Sequence, residues 1–442
     1  MRASLGLAGI FGLRMLGMFI ILPVFALYAE GLPGGADHTW VGIALGAYGL
    51  TQAILQVPFG WLSDHWGRKR TIYFGLVIFA LGSFVAAFAT DIYGVILGRV
   101  IQGSGAVSSA VLALTADLTR EEVRTKAMAI IGMTIGVTFG ISMIGGPPLS
   151  HWIGVPGIFA LTGVLALAAI GVVWRVIPDP LRAALVPPPA RLAVVLTDAQ
   201  LLRLNYGIFA LHALLMALFI AVPFDLRQLL PVAQHGYVYL PVMVGAFILM
   251  VPPMIAAERR GLQKPVFIGA IALLILALLI LAFGKQSLIG LAIGLLAFFT
   301  AFNLLEASLP SLISKFAPEG ARGKAMGVYS SLQFFGTFLG AAMGGWLSQH
   351  YGVNAITVFC MTLAMVWIIL ALSMRAPTAL RTRTFQLPQS DRASVSGLEE
   401  KLKRLPGVRE VLVTASEGVA VLKVDLRGFD EQQVIKLLAR EV

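Results

Sequence analysis

GWLSDHWGRKR, residues Gly60–Arg70, sets one carboxylate, Asp64, beside His65 and the cationic run Arg68, Lys69, Arg70. On either side the chain is almost pure hydrocarbon: LGAYGLTQAILQVPF ends at Phe59 and TIYFGLVIFALGSFVAAFA begins at Thr71. Each flank is long enough to cross most of a ~30 Å hydrocarbon core. The stretch therefore reads as a tight polar turn between two membrane spans. Gly67 permits the turn, Gly60 lets a neighbouring helix approach, and the three cations anchor the loop at one membrane face.

The same pattern recurs along all 442 residues, of which 58% are hydrophobic and 12% charged. A mean hydropathy of +0.86 and half the usual charge content exclude a soluble globular fold. The expected spans are 8–29, 41–62, 71–90, 94–116, 125–149, 154–177, 202–224, 237–257, 264–283, 287–313, 323–348 and 353–375. The first carries Arg14 and Pro23, and no small-residue cleavage site follows, so it reads as a retained span. Arg and Lys gather after the even-numbered spans, while the opposite face holds only Arg227 and Lys285. That asymmetry predicts cytoplasmic N- and C-termini. The net charge of +11 is thereby explained by topology, and a nucleic-acid partner is not required. One cysteine, Cys360, excludes an intrachain disulfide or a cysteine metal site. No G-x-x-x-x-G-K-[ST] loop is present, which argues against nucleotide hydrolysis or other enzyme activity.

The polar, proline-rich stretch 178–200 divides the spans six and six, and its composition predicts an extended linker. The halves repeat. DHWGRKR at 64–70 aligns with ERRGLQK at 258–264, placing Glu258 and Gly261 opposite Asp64 and Gly67. REEVRTKAMAI at 120–130 aligns with PEGARGKAMGV at 318–328, and GGPPLSHWIGV at 145–155 with GGWLSQHYGV at 344–353. Parallel repeats are one way secondary transporters are built, with two bundles rocking about a site at their interface.

G-x-x-x-D-x-x-G-R-K at 60–69 resembles motif A of the major facilitator superfamily. Arg99, Gln102, Gly103 and Gly105 resemble its motif B. Gly136, Gly140, Gly145, Gly146 and Pro147, within GVTFGISMIGGPP, resemble motif C of the drug/proton antiporter branch, although the closing glycine pair is missing. GLTQAILQVPFG, LGRVIQGSGA, DLTREEVRTKAM and FNLLEASLPSLISK are most similar to proteobacterial inner-membrane members that carry a small C-terminal domain. The resemblance covers residues from about 5 to 375. It implies an all-α polytopic fold of 12 helices in two six-helix bundles, at 1–177 and 201–375. It also implies that Asp64 faces the start of span eleven, near Gly323, when the protein is outward-open. A carboxylate at a helix N-terminus gains up to ~2 kcal/mol, and Arg68 can pair with it. Asp64 is thus a conformational latch or a balance for loop charge. Glu258 is its second-half equivalent, in a loop without the G-R-K order.

Ionisable groups inside spans are costly and normally face a cavity or partner. Arg14, Arg99, His212 and Glu306 are such groups. A carboxyl in a low-dielectric interior can exchange protons in the working pH range, so Glu306 is a proton carrier or one half of a structural pair with Arg14 or His212. His212 is a second carrier or a packing histidine. Arg99 keeps its charge and tunes a neighbour or holds substrate. Gln52 and Gln56 share one helical face, as do Asn303 and Glu306, and with Phe19, Phe302 and Phe334 they are candidates for a substrate cavity.

Residues 376–442 change character. Strands at 383–387, 408–414 and 419–426, helices at 396–405 and from Asp430, and a turn at Glu417–Gly418 give the order βαββα, similar to a ferredoxin-like domain. It contains no cysteine, so C-x-x-C metal binding is excluded. A regulator site, self-association or passive stabilisation remain open for it.

The leading expectation is a proton-coupled efflux antiporter of small amphipathic molecules in a bacterial inner membrane. It would work by alternating access, with no cofactor and a proton gradient as energy source. A sugar or peptide transporter, and a membrane sensor signalling through the tail, are the alternatives.

Overall fold

The computed structural model describes residues 2–118, 121–178, 192–318, 321–376, 380–386, 395–414, 419–425 and 429–440. They form two compact units, Met1–Arg375 and Ala376–Val442. The expected turn at Glu417–Gly418 and residues 179–191 of the linker lie outside the described residues.

In the first unit the apolar runs are helical, because a backbone in hydrocarbon must satisfy its own N–H and C=O groups. The expected first span is broken into α1 (Arg2–Phe19) and α2 (Leu22–Glu30). Pro23 has no N–H to give the Phe19 carbonyl, which places the break. Next come α3 (His38–Trp66) and α4 (Arg68–Phe88), joined through Gly67 alone at φ 107°. The expected fourth span is two helices, α5 (Ile92–Ser104) and α6 (Ser108–Asp117), interrupted at Gly105–Val107. Spans five and six share one run, α7 (Glu121–Val176), which turns at Gly154 (φ 70°, ψ 170°) and not in a separate loop.

In the linker, where an extended chain was expected, α8 (Leu192–Thr197) forms a short helix before α9 (Ala199–Leu229). Pro252 and Pro253 do not shorten α10 (His235–Arg259), which carries them and Pro241 internally. The unit ends with α11 (Gln263–Gly284), α12 (Leu288–Phe316), α13 (Arg322–Tyr351) and α14 (Asn354–Leu372). Ten stretches among the described residues are long and apolar enough to cross a membrane. The 30-residue α13 is not among them. It carries Ser330, Ser331, Gln333 and Thr337 and packs mainly on α3 and α9.

The repeat reappears as backbone geometry. Gly67 and Gly261 both turn at positive φ, 107° and 68°. Gly154 and Gly352 adopt nearly the same conformation, φ/ψ 70°/170° and 79°/168°. Asp91 caps Gly94 N and Ser287 caps Gly290 N, at the starts of α5 and α12. These pairs keep the spacing of the aligned loop motifs.

The second unit has β1 (Leu380–Gln386), α15 (Val395–Lys403), β2 (Val408–Thr414), β3 (Val419–Asp425) and α16 (Glu431–Arg440). The sheet is antiparallel in the order β1-β3-β2, with an irregularity between Val408 and Glu410. Alternation puts Ala420, Leu422 and Val424 on one face, where they pack with Leu398 and Leu402 of α15 and Val434 and Leu438 of α16. Asp430 Oδ1 accepts from Gln432 N at 2.9 Å and caps α16.

Candidate functional site

Three helices bring the intramembrane polar groups of the second half together. Residue Glu306 is on α12, His212 on α9 and Gln333 on α13. Gln333 Nε2 donates to Glu306 Oε1 at 3.2 Å and contacts His212 Nε2 at 2.9 Å. His212 Nδ1 lies 3.3 Å from the Ile208 carbonyl. A carbonyl only accepts, so Nδ1 carries the proton and Nε2 accepts from Gln333. Glu306 Oε2 stands 3.9 Å from His212 Nε2. That oxygen, Asn303 Nδ2, Tyr329 Oη and Ser331 Oγ are buried without a hydrogen-bond partner among the described residues. The Glu306 side chain keeps 23% exposure and His212 only 6%. The expected partner of Glu306 is therefore His212, through a glutamine the sequence reading passed over. The side chain of Arg14 lies outside the described residues.

An aromatic row crosses the two halves beside this cluster. Phe19 of α1 meets Phe139 of α7 at 5.1 Å, and Phe139 stacks on Phe302 of α12 at 5.6 Å. The Phe302 ring is 5.8 Å from the His212 ring. Phe334 meets Tyr48 of α3 at 6.3 Å. All four phenylalanines or their partners are buried, so the apolar residues line a closed contact and not an open wall.

In the first half, two of the expected polar groups are held inside their own bundle. Arg99 is enclosed within its own bundle: NH1 donates to Gln102 at 2.8 Å, NH2 to the Leu45 carbonyl at 3.1 Å, and the guanidinium lies over Tyr48. Gln102 donates on to Ser83 at 2.9 Å. Gln52 likewise donates to the Gly103 and Gly105 carbonyls; the break at Gly105 leaves the Gly103 carbonyl outside the helical ladder, while the Gly105 carbonyl also accepts from Val107 N. Neither Arg99 nor Gln52 is open to substrate in this conformation. Gln56 is buried with both amide atoms unpartnered. A Cβ at Gly103 would lie 2.9 Å from the Tyr48 Cα, which explains the glycine.

At the opening turn, Arg68 bonds Asp64, Ser63 Oγ (3.0 Å) and Asp117 Oδ2 (2.9 Å). Asp117, at the end of α6, was not singled out from sequence. Asp64 is half exposed. Its partner among the described residues is Arg68, and a Cβ at Gly323 on α13 would meet nothing within 4 Å. The first element a Cβ on Gly60 would reach is Ser109 at 3.8 Å, ordinary contact, so Gly60 is not a close approach in this conformation. Lys69 begins α4 beside Arg68. In the second half, Gly261 turns at φ 68° and Glu258 sits in the field of Lys315, at the end of α12.

Of the motif C glycines, Gly146 packs on Ile20 and Pro23 of the broken first span, and Gly140 on Phe247 of α10. Gly136 reaches Phe247 only at 3.9 Å and Gly145 has open space. Pro147 accepts from Ser150 Oγ at 2.7 Å.

The two halves close on each other at the end opposite Arg68. Gly42, Gly46 and Gly49 of α3 lie against Gly345, Phe338 and Phe334 of α13. His38 N donates to Gln349 Oε1 at 2.9 Å, its Nδ1 is 3.0 Å from Ser348 Oγ, and its ring stacks on Phe224. Arg227 NH1 pairs with Glu30 at 2.8 Å. At the Arg68 end, a Cβ on Gly323 or Gly327 of α13 would meet open space.

A family model for the Major Facilitator Superfamily matches residues 7–257 and 242–416. The inner membrane transport protein YajR of Escherichia coli is 42% identical over 98% of this chain and 97% of its own. The multidrug resistance protein MdtH of Aeromonas hydrophila is 26% identical over 80% of this chain and 88% of its own. Among solved structures, the human organic anion transporter MFSD10 aligns with a TM-score of 0.65 at 19% identity, covering 84% of this chain and 99% of that one. A bacterial homolog of the human lysosomal transporter Spinster, in an inward-facing and occupied conformation, gives 0.66 at 14%, covering 84% and 95%.

Proposed function

Because the chain belongs to the major facilitator superfamily, we propose that it is a proton-coupled antiporter exporting small amphipathic molecules across a bacterial inner membrane. The observation that carries this reading is the Glu306–Gln333–His212 cluster, an exchangeable carboxyl and imidazole bridged by one amide inside the membrane. A proton on His212 Nε2 turns that acceptor into a donor and displaces Gln333, while a proton on Glu306 leaves it a weaker acceptor for the same amide, so protonation is coupled to the position of α13. Since α13 also packs on α3 of the other half, the proton reaches the seam between halves. The kinship with a multidrug resistance protein supports an amphipathic substrate.

Twelve spans follow when α7 is counted twice across Gly154 and α13 is included. With the cation-rich loops in the cytoplasm, both termini are cytoplasmic and this conformation is closed at the periplasmic end. Alternating access then opens the Gly42–Gly345 seam and brings Asp64 toward the start of α13, where the latch operates. The bundles are 1–177 and 201–375, and the βαββα unit is a ferredoxin-like cytoplasmic domain, a site for a regulator or for self-association.

Inverted vesicles with an acidified interior and a pH-sensitive dye test the reading. Addition of one compound class should release protons in wild type, and not in Glu306→Gln. Asp64→Asn should slow the exchange without removing its coupling. Substrate flux that is equal with the gradient collapsed would overturn proton coupling.

A further inference from the structure

On the face of α3 turned away from α13, an open groove of about 470 Å³ is lined by Trp61, Leu62, His65, Trp66 and Phe74. At 100° per residue, Leu62, His65 and Trp66 lie more than about 120° from the mean direction of the Gly42, Gly46 and Gly49 edge that meets the other half, and Trp61 stands about 90° from it. The groove therefore opens sideways, toward the bilayer. Its rings hold one another in place: Trp61 over His65 at 4.4 Å, Trp66 edge-on to Phe74 at 5.8 Å, and Phe59 stacked on Phe74 at 6.1 Å. His65 is fixed by its Nδ1–H to the Trp61 carbonyl at 2.9 Å. These are large apolar surfaces, with Trp61 at 61% exposure, on a corner stiffened by the one-residue link at Gly67.

Charge completes the groove. Arg68 is committed to Asp64, Ser63 and Asp117. Arg70 is exposed, makes no hydrogen bond or ion pair among the described residues, and stands one turn before Phe74 on α4. One turn is ~5.4 Å, so the i, i+4 spacing sets Arg70 on the same face of α4 as Phe74, one turn nearer the Gly67 corner.

We propose that this groove binds one anionic glycerophospholipid of the surrounding bilayer, with an acyl chain along Trp61, Leu62, Trp66 and Phe74 and its phosphate on Arg70. A soluble amphiphile would have to enter through the bilayer to reach the rings, whereas a lipid is already at this depth. A zwitterionic headgroup would bring its own cation against the Arg68–Arg70 run. The bound lipid braces the α3–α4 corner that carries Asp64 and Arg68.

The test uses the full chain in phosphatidylcholine vesicles holding a minor fraction of lipid brominated on its acyl chains, which quenches tryptophan on contact. Brominated phosphatidylglycerol is compared with brominated phosphatidylcholine. One cation near a headgroup corresponds to about fivefold local enrichment of an anionic lipid, so phosphatidylglycerol should quench more. That excess should vanish in Arg70→Gln and in Trp61→Phe/Trp66→Phe, which removes the reporting rings and leaves the cation. Equal quenching by the two lipids would show an unselective aromatic belt and overturn the proposal. An excess that survives either variant would place the anion preference elsewhere and overturn it equally.

Discussion

Gln333 is the residue on which the second-half cluster turns. Its single amide nitrogen serves both His212 and Glu306, two acceptors on different helices. Gln333→Leu should leave both unpaired at a cost of ~1–3 kcal/mol for each buried group. The expected result is a lower melting temperature in detergent together with exchange that no longer follows the imposed pH gradient. Gln333→Glu, which places a second carboxyl 3.2 Å-scale close to Glu306, is not a conservative change here, because like charges at that distance disfavour joint ionisation. Gly67 is decisive for a different cause. At φ 107° and ψ 145° a side chain strains the backbone, so Gly67→Ala should destabilise the protein by ~1–3 kcal/mol. A thermal unfolding series against Gly60→Ala, where a Cβ has room, separates backbone strain from crowding.

Among helices, the α3–α13 pair governs the seam. A Cβ at Gly46 would lie 2.9 Å from the Phe338 carbonyl oxygen and 3.1 Å from its Cα. Backbone cannot yield as a flexible side-chain end does, so Gly46→Leu should force this end apart. If the halves rock, the Arg68 end then closes. A cysteine placed at Gly327, with open space in front of it here, should label readily with a water-soluble maleimide in wild type and become several-fold slower in Gly46→Leu. Cys360, the one native cysteine, is fully buried and gives little background. Unchanged labelling would detach α3–α13 packing from access at the other end. The same pair explains why α13 is more polar than the other long helices. Its neighbours are α3 and α9 and not lipid alone, so serines, glutamine and glycines are accommodated on it.

For the molecule, closure at one end is held by many contacts of modest strength. Glu30 and Arg227 keep 33% and 46% side-chain exposure, which limits their pair to under ~1 kcal/mol. Arg227→Glu removes that attraction and sets two carboxylates against each other, so it should shift the balance toward opening of that end by about fivefold or more, and Glu30→Arg in the same chain should restore it. Labelling of Gly327→Cys reads both. A restoration of access would assign the effect to the pair and not to loss of the Arg227 stack on Phe224. The compact unit Ala376–Val442 has its own apolar core, which accounts for a folded appendage with no cysteine to cross-link it.

Much of this organisation was legible before any coordinates. Apolar runs of span length, loop cations and the displaced repeats of the Gly60–Arg70 pattern identify a two-fold helical transporter, because lipid imposes helices and the repeat imposes matching turns. Gly67 and Gly261 share a positive φ, and Gly154 and Gly352 nearly the same conformation, for that cause. What spacing along one helix could not give was partnership between helices. Arg99 and Gln52 carry the polarity expected of substrate ligands, yet glycines at 103 and 105 let the chains approach and absorb both into internal bonds. Asp117 and Gln333 lie in ordinary-looking stretches and acquire meaning only through Arg68 and Glu306. Hydrophobicity is additive along a chain and so can be read from it. Hydrogen bonds and ion pairs depend on which helix faces which, and that was decided by tertiary packing.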